Sequence, residues 1–338
     1  MLRLAKLPAC HSMVQSSITS TRMQVFRKLD AIPADFGPTV ISVGNFDGVH
    51  RAHRKVLDTI VERAHAQKLR SMAVTFEPHP MRILRPDSGL RLITPTPEKI
   101  RLLAETGLDA TLLLPFGRDL SLMTPHRFAH EILVKALRAR EVHEGYNFHF
   151  GHRAEGNVDM LAKLGREMGF QIEVYSEMRL RGEPVSSSHI RKLITEGRVS
   201  RARHLLARPF SVLATAGRGH GRGSKQTVPT INLSRYEELA PKYGVYITRT
   251  RLGEECFDSV TNVGNRPTFG DDSFAIETHL LNFHPLEITA ETEVEIYFLD
   301  RIRDELKFPS VEMLREQIGK DIGRAGRYLQ LLAAKTRA

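Results

Sequence analysis

The chain contains no tryptophan and only two cysteines among 338 residues. Two cysteines can build neither a disulfide framework nor the Cys-based ligand set of a structural zinc site. Such low cysteine usage suits a reducing compartment, so we expect a cytoplasmic protein. No apolar run approaches the ~20 residues that a membrane-spanning helix needs, and we therefore expect no membrane partner.

Aromatic residues make up only 7% of the chain, although its formal net charge is +10. A positive charge of this kind is typical of proteins that bind nucleic acid. Binding of single strands also needs aromatic platforms between the charges, and here the basic residues are spread along the chain beside acidic ones. We therefore keep nucleic-acid binding as the disfavoured alternative to a charged surface with a few phosphate-binding cations.

Residues 1–22 differ from the rest because they are basic and contain several Ser and Thr, and no acidic residue precedes Asp30. An organelle-targeting presequence has this composition. A disordered extension from a misread upstream start is the other interpretation. We favour the second, because Met23 begins a sensible chain, "MQVFRKLDAIP".

From about Thr39 to Ser176, apolar runs alternate with segments of helical period. The runs are "TVISVGNF", "SMAVTF", "ATLLLPF", "REVHEG" and "QIEVYS". Strands that alternate with crossover helices predict an α/β domain with a parallel sheet. Ligands of such sheets bind outside the carboxyl ends of the strands, so the residues that follow these runs are the first candidates for a site.

The pattern changes after two short predicted helices, the second of which stops at Pro209. Short alternating runs follow, namely "FSVLATA", "GVYITRTRL", "CFDSVTNV", "FAIETHLLNF" and "EVEIYFL". They predict a small antiparallel β-barrel, and the amphipathic C-terminal stretch predicts a helix packed on it. The boundary falls near residues 190–208, and we predict one domain at 23–206 and a second at 207–338.

The stretch "GNFDGVHRAH" follows the first buried run. Gly44 and Gly48 allow a tight turn, and a helix is predicted to begin at about Arg51. The amides and dipole at the start of this helix would attract an anion, and His50 and His53 could donate hydrogen bonds to phosphoryl oxygens. Two alternatives stay open from the residues alone. One is a metal pair, for which no third ligand stands nearby, and the other is ordinary core packing.

This stretch resembles the G-x-F-D-G-x-H-x-G-H motif of the nucleotidyltransferases. It is followed in order by "FEPHP" at 76–80, "GYNFHFG" at 145–151 and "VSSSHIRKLI" at 185–194. Together with the second half, these motifs resemble the prokaryotic bifunctional riboflavin kinase/FMN adenylyltransferase family, also called FAD synthetase. The resemblance runs from about residue 25 to the C-terminus, and four ordered motifs are far more specific than one H-x-x-H.

The resemblance implies an enzyme that phosphorylates riboflavin to FMN and then adenylylates FMN to FAD with release of pyrophosphate. It implies a nucleotidyltransferase-like fold for the first domain. ATP would be the co-substrate of both steps and Mg²⁺ the cofactor. Riboflavin, FMN, FAD and ATP are then the expected partners, and whether the chain forms a homo-oligomer is left open.

In the first domain the resemblance implies that the FMN phosphate attacks the α-phosphorus of ATP. His50 and His53 would be catalytic and hold the ATP phosphates. Asn147 would lie close to the nucleotide or the flavin. The other implied ATP-binding residues are Gly44, Asn45, Phe46, Asp47, Gly48, Ser187, Ser188 and Arg191. From the residues alone, an N-cap and an ordinary helix explain "VSSSHIR" equally well.

In the second domain "PTINL" at 229–233 matches the end of the family's G-R-x-L-G-F-P-T-A-N element. Thr230 would bind ATP and Mg²⁺, and Asn232 would support the metal ion. "AIETHLLNF" at 275–283 matches the strand that carries the catalytic glutamate, so Glu277 would be the general base. Without the match, a glutamate on a strand is usually its solvent-facing residue. Arg303 and Glu305 would contribute to the flavin pocket.

Two departures from the family pattern keep an alternative open. Ala52 stands where the H-x-G-H motif has glycine, and the extra methyl could hinder a close approach of the nucleotide. In the loop at 217–228, Ser224 replaces an arginine and the three residues before Pro229 replace L-G-F. Either departure could leave only one of the two activities, and neither Ser224 nor its neighbours receive a role.

Overall fold

The computed structural model describes residues 23–217, 230–268, 271–284 and 288–337. The predictions for residues 1–22, for 218–228 of the Gly-rich loop and for Pro229 lie outside the described residues. The chain divides into two compact units, one at Thr19–Ser187 and the other containing Ser188–Ala338.

A six-stranded parallel sheet forms the centre of the first unit. In chain order the strands of this unit are β1 (Gln24–Phe26), β2 (Thr39–Val43), β3 (Arg70–Glu77), β4 (Ala110–Pro115), β5 (Ala139–Gly145), β6 (His149–Phe150), β7 (Gly156–Asn157), β8 (Gln171–Tyr175), β9 (Arg179–Leu180) and β10 (Glu183–Pro184). The sheet order is β1-β4-β3-β2-β5-β8, while β6 with β7 and β9 with β10 form two small hairpins. The predicted parallel sheet is confirmed.

Helices flank this sheet. They are α1 (Arg51–Gln67), α2 (Pro80–Leu84), α3 (Thr96–Ala104), α4 (Arg118–Ser121), α5 (Pro125–Arg127), which continues as π-helical turns over Phe128–Ala136, and α6 (Val158–Met168). Alternate residues of β2 enter different cores: Ile41 packs with Met72 and Leu112 in one, and Val40 packs with Ala73 in the other. Burial on both faces explains why β2, β3 and β4 read as nearly continuous apolar runs.

The sheet order reverses its direction at β2. From β2 the chain builds outward through β3 and β4 on one side, and β5 and β8 add to the other side. In such sheets the ligand crevice lies outside the carboxyl ends of the strands at this point. The ends of β2 and β5 therefore position the first candidate site.

The second unit contains a six-stranded antiparallel sheet in the order β11-β16-β13-β14-β15-β12. Its strands are β11 (Phe210–Thr215), β12 (Thr230–Asn232), β13 (Gly244–Leu252), β14 (Glu255–Thr268), β15 (Asp271–Leu280) and β16 (Glu293–Arg303). A bridge between Ala216 and Leu233 joins the two edges of the sheet. This bridge closes the sheet into a small barrel and confirms the prediction.

Two faces of this barrel differ in chemistry. The helices of this unit are α7 (Ser187–Thr195), α8 (Val199–Leu206) and α9 (Val311–Arg337). The first residue of α7, Ser187, still belongs to the other unit. Ala325 and Leu329 of α9 pack with Val245 and Ile247 on one face, which we call the helix-packed face. The opposite face holds a buried cluster of hydroxyls that bond one another at 2.8–3.0 Å, namely Thr248, Thr250, Ser259, Thr261 and Thr278.

Candidate functional site

The turn after β2 has a backbone that few side chains adopt. Phe46, Gly48 and Val49 have φ angles of 46°, 88° and 37°. Gly48 adopts a positive φ without steric cost, whereas Phe46 and the β-branched Val49 are strained. At the start of the turn, the Gly44 amide donates to the Val74 carbonyl of β3 at 2.9 Å. Strain of this kind persists only where the surroundings enforce it.

Asp47 anchors this turn to the segment before α3. Its buried carboxylate accepts hydrogen bonds from the amides of Ile93, at 3.2 Å, and Thr94, at 3.0 Å. The Thr94 hydroxyl accepts from the Gly48 amide at 2.9 Å. From the end of the unit, the Ser187 hydroxyl donates to the Asp47 carbonyl at 2.8 Å. The structure therefore brings together Asp47, Gly48 and Ser187 of the predicted set.

A buried lysine, which the motifs did not indicate, supports the same turn. Lys99 of α3 is 3% exposed, and its Nζ donates to the Asn45 carbonyl and to the Thr75 hydroxyl, both at 3.2 Å. Burial lowers the pKa of Lys99, while the carboxylates of Asp47 and Glu77 oppose this shift. The available signal in the sequence was the place of the lysine three residues before a buried leucine on the apolar face of a helix.

His50 and His53 stack at the start of α1. His50 is the N-cap of the helix, and its Nδ1 accepts from the His53 amide at 3.3 Å. The ring centroids are 3.6 Å apart with an interplanar angle of 15°, and the Phe46 ring meets His53 edge-on. The two histidines, three residues apart in the sequence, thus form a stacked pair of rings next to the turn.

His53 is the more unusual of the two histidines. Burial, followed by the charges of His50 and Lys99, lowers its pKa well below the ordinary value, so its ring is neutral at neutral pH. Its Nδ1 is buried and has no hydrogen-bond partner in the described part of the chain. Within that part, three or more His, Cys, Asp or Glu residues nowhere cluster as a metal site would require.

The other predicted residues of the first site lie in two places. Asn147 is exposed two residues after the end of β5, in a turn closed by a 2.9 Å hydrogen bond from the Phe148 amide to the Gly145 carbonyl. Because β2 and β5 are parallel neighbours, Asn147 follows the same sheet edge as the Gly44 turn. Ser188 and Arg191 belong to α7 in the second unit.

In the second unit, Asn232 and Glu277 are directly opposed on neighbouring strands. The register of β12 and β15 pairs Asn232 with Glu277 and Thr230 with His279. The register of β14 places Asn262 opposite Glu277 on its other side. Directly opposed residues of an antiparallel pair share one face of the sheet. The structure thus brings the three predicted kinase residues onto one face, with two further polar residues that sequence reasoning missed.

Asn232, Glu277 and Asn262 lie on the helix-packed face of the barrel. Asn262 is paired with Val245, which belongs to that face. The Asn232 Oδ1 is buried, and no described residue bonds to it. An amide oxygen is a ligand that Mg²⁺ accepts, so Asn232 fits the predicted metal role. The Thr230 hydroxyl lies 3.4 Å from His279 Nδ1, and burial lowers the pKa of His279.

Arg303 and Glu305 lie at the end of β16. The Arg303 guanidinium bonds the buried Asp321 carboxylate of α9, with Nε at 3.0 Å and Nη2 at 2.8 Å from Oδ2. The Glu305 carboxylate occupies the space above Gly264, where any Cβ would collide with it. Arg303 therefore ties α9 to the barrel, and Glu305 covers a glycine on the same face as Asn262.

Comparisons with known proteins cover both units. Residues 32–189 match the family of FAD synthetase, and residues 206–329 match that of riboflavin kinase. The bifunctional riboflavin kinase/FMN adenylyltransferase of Escherichia coli K12 is 32% identical over 283 residues, which are 83% of this chain and 90% of that protein. The protein of that name from Listeria monocytogenes is 33% identical over 285 residues, with the same two coverages of 83% and 90%.

A solved structure is also similar in fold. A protein from Streptococcus pneumoniae, described as a macrolide-efflux protein, is 25% identical and has a TM-score of 0.79 over 89% of this chain and 97% of its own. Among the described residues, no helix has the length and apolar character to cross a membrane.

Proposed function

The chain belongs to the bifunctional riboflavin kinase/FMN adenylyltransferase family, and from that premise we propose that residues 23–206 form the adenylyltransferase domain and residues 207–338 the kinase domain. The enzyme phosphorylates riboflavin to FMN with ATP and adenylylates FMN to FAD with release of pyrophosphate. We place this work in the cytoplasm, which suits a chain with two cysteines.

In the adenylyl transfer, an oxygen of the FMN phosphate bonds to the α-phosphorus of ATP, and the bond from that phosphorus to the pyrophosphate oxygen breaks. His53 supports this step because its neutral ring offers a buried Nδ1 that no described residue uses. The N-terminal amides of α1, whose cap is His50, would bind the phosphates. Catalysis then consists of positioning and charge stabilisation.

The remaining residues of the first site would hold the two substrates. The turn from Gly44 to Gly48 would approach ATP with its backbone, while Asp47 fixes its shape. Ser187, Ser188 and Arg191 would grip the triphosphate, the arginine as a forked donor. Asn147 would contact the nucleotide or the flavin. Ala52 is the second residue of α1, and alanine has the highest helix propensity of all residues. We therefore propose that the site stays active.

In the kinase reaction, the riboflavin 5′-hydroxyl bonds to the γ-phosphorus of ATP and ADP leaves. The direct opposition of Glu277 and Asn232 is the observation that carries this assignment. Glu277 would accept the hydroxyl proton as general base. Thr230 and Asn232 would hold Mg²⁺, which when bound neutralises charge on the phosphates. Arg303 would act by holding α9 in place, and Glu305 would face the flavin.

Two variants of the full chain test these assignments against each other. Glu277→Gln should abolish formation of FMN from riboflavin and leave formation of FAD from added FMN at the wild-type rate. His53→Asn should do the reverse, so that FMN accumulates. Each reaction is the control for the other variant. Loss of both reactions in either folded variant, or a wild-type rate in the targeted reaction, would contradict the site.

A further inference from the structure

Residues 93–99 hold the turn after β2 at three of its residues, Asn45, Asp47 and Gly48. The Lys99 ammonium bonds the Asn45 carbonyl at 3.2 Å. The amides of Ile93 and Thr94 bond the Asp47 carboxylate, and the Thr94 hydroxyl receives the Gly48 amide. The three contacts to Asp47 and Gly48 are polar bonds of a common kind. Only the Lys99 contact places a full positive charge directly behind the turn.

The Lys99 ammonium lies in a buried place with two hydrogen-bond acceptors, the Asn45 carbonyl and the Thr75 hydroxyl. Lys99 is 3% exposed and Thr75 is fully buried. The Thr75 hydroxyl donates to the Asn45 carbonyl at 3.1 Å, so toward Lys99 it acts as an acceptor. Burying a lysine is costly unless its charge is used or paired, and no described residue forms an ion pair with its Nζ within 4.0 Å. The Asp47 and Glu77 carboxylates act on it only from farther away.

The positive charge of Lys99 also acts on His53, one of the two stacked histidines. Lys99 is one of two charged neighbours that lower the pKa of His53, the other being His50. The third group that faces His53 is the Phe46 ring, which carries no charge. Lys99 is therefore linked to the predicted catalytic histidine by charge, and to the turn by a hydrogen bond.

We propose that Lys99 is a positioning residue of the adenylyl-transfer site: it fixes the Asn45 carbonyl, and with it the strained turn, and supplies a buried positive charge that favours the ATP phosphates. This inference rests on the proposed function of the first site. As a positioning residue, Lys99 contacts neither substrate. It acts through Asn45 and through the electrostatic potential at the turn.

Lys99→Met removes both the charge and the hydrogen bond at similar length, and Lys99→Gln removes the charge but keeps a donor. Thr75→Val is the matched control, since it removes a partner of Lys99 and leaves the charge. Steady-state kinetics of FAD formation from FMN would be compared with those of the kinase reaction in the same preparations. The titration of His53 would be followed by NMR with ¹³C-labelled histidine.

For Lys99→Met we expect the KM for ATP in FAD formation to rise roughly tenfold or more, as for loss of a charge-assisted bond, with kinase parameters unchanged. The pKa of His53 should rise in both lysine variants and stay at its wild-type value in Thr75→Val. A merely structural lysine would not move the His53 titration in this selective way.

Wild-type ATP dependence together with a wild-type His53 titration in folded Lys99→Met would overturn the proposal. Should Lys99→Met fail to fold, Lys99→Gln decides by the same two readouts. The variant His53→Asn tests the adenylyl-transfer site itself, independently of Lys99. If His53→Asn keeps adenylyl transfer, the proposed site itself fails; if it loses transfer while both lysine variants behave as wild type, only this inference fails.

Discussion

The Glu144 carboxylate accepts a hydrogen bond from the Val43 amide at 2.6 Å, at the place where β2 and β5 separate. Backbone pairing between these strands ends at Ile41 and Val142. Beyond that pair, a side chain replaces the missing carbonyl. The two strands can therefore diverge without leaving the Val43 amide unsatisfied, and the divergence opens the edge that carries the Gly44 turn.

Glu144→Gln should stabilise the first unit at neutral pH. Burial raises the pKa of Glu144 well above its ordinary value, and the Val43 bond only partly opposes this. The folded state thus holds this proton more tightly than the unfolded state, so stability is lost as pH rises through the folded pKa. Calorimetry of the full chain should show a higher Tm for the variant at neutral pH and no difference below about pH 4.5, the unfolded pKa. A lower Tm at neutral pH would show that the ionised Glu144 carboxylate stabilises the fold.

Glu141→Gln should remove part of the acid sensitivity of the same unit. Hydrogen bonds from Arg63, Gln67 and His143 outweigh burial and lower the pKa of Glu141 to about 2. A depressed pKa contributes stability above the unfolded value of 4.5 and loses it as pH falls toward about 2. The wild type should therefore lose stability faster than the variant between these limits. Parallel acid-unfolding curves would contradict this.

Gly264→Ala should displace Glu305 and report on its role. A Cβ at this position would meet the Glu305 carboxylate, which is the movable end of a flexible side chain. The free energy of unfolding should therefore change by less than about 1 kcal/mol. If Glu305 faces the flavin, the KM for riboflavin rises. The same KM in Glu305→Ala and in the double variant would confirm the cause, and a wild-type KM in all three would exclude Glu305 from the flavin site.

Arg303→Met should destabilise the contact between the barrel and α9. It would leave the Asp321 carboxylate, with a side chain only 5% exposed, without its arginine. Leaving one partner of a buried pair costs about 3–5 kcal/mol, and the remaining exposure of Arg303 places the expected loss at the low end. The double variant with Asp321→Asn should recover part of this loss in denaturant unfolding. Additive losses would show that the two residues do not act as a pair.

Periodicity was enough to predict the two sheets, because most of their longer strands carry buried apolar residues and are bounded by turn residues. The edge strand β1 (Gln24–Phe26) escaped prediction because three residues carry no pattern, and only pairing with β4, more than eighty residues later, makes them a strand. The strand β12 (Thr230–Asn232) was hidden for the same reason. Short elements depend on partners that no local window contains.

The candidate sites, too, could be predicted from the sequence only in part. Motifs name His53, Asn232 and Glu277, but they do not reveal that Asn232 and Glu277 are directly opposed, since register depends on the whole barrel. Lys99 and His279 belong to stretches that read as ordinary helix and strand. Their importance comes from burial and from neighbours distant in sequence, as the bonds of Lys99 to Asn45 and Thr75 show.

The most direct measurement is a time course of the full chain with riboflavin, ATP and Mg²⁺, in which the flavins are separated by chromatography. FMN should form first and then be converted to FAD. Supplying FMN in place of riboflavin should give FAD without the first phase. Folded protein that forms no product from either flavin would show that the chain catalyses neither reaction, and FMN that accumulates without FAD would show that the site containing Ala52 is inactive.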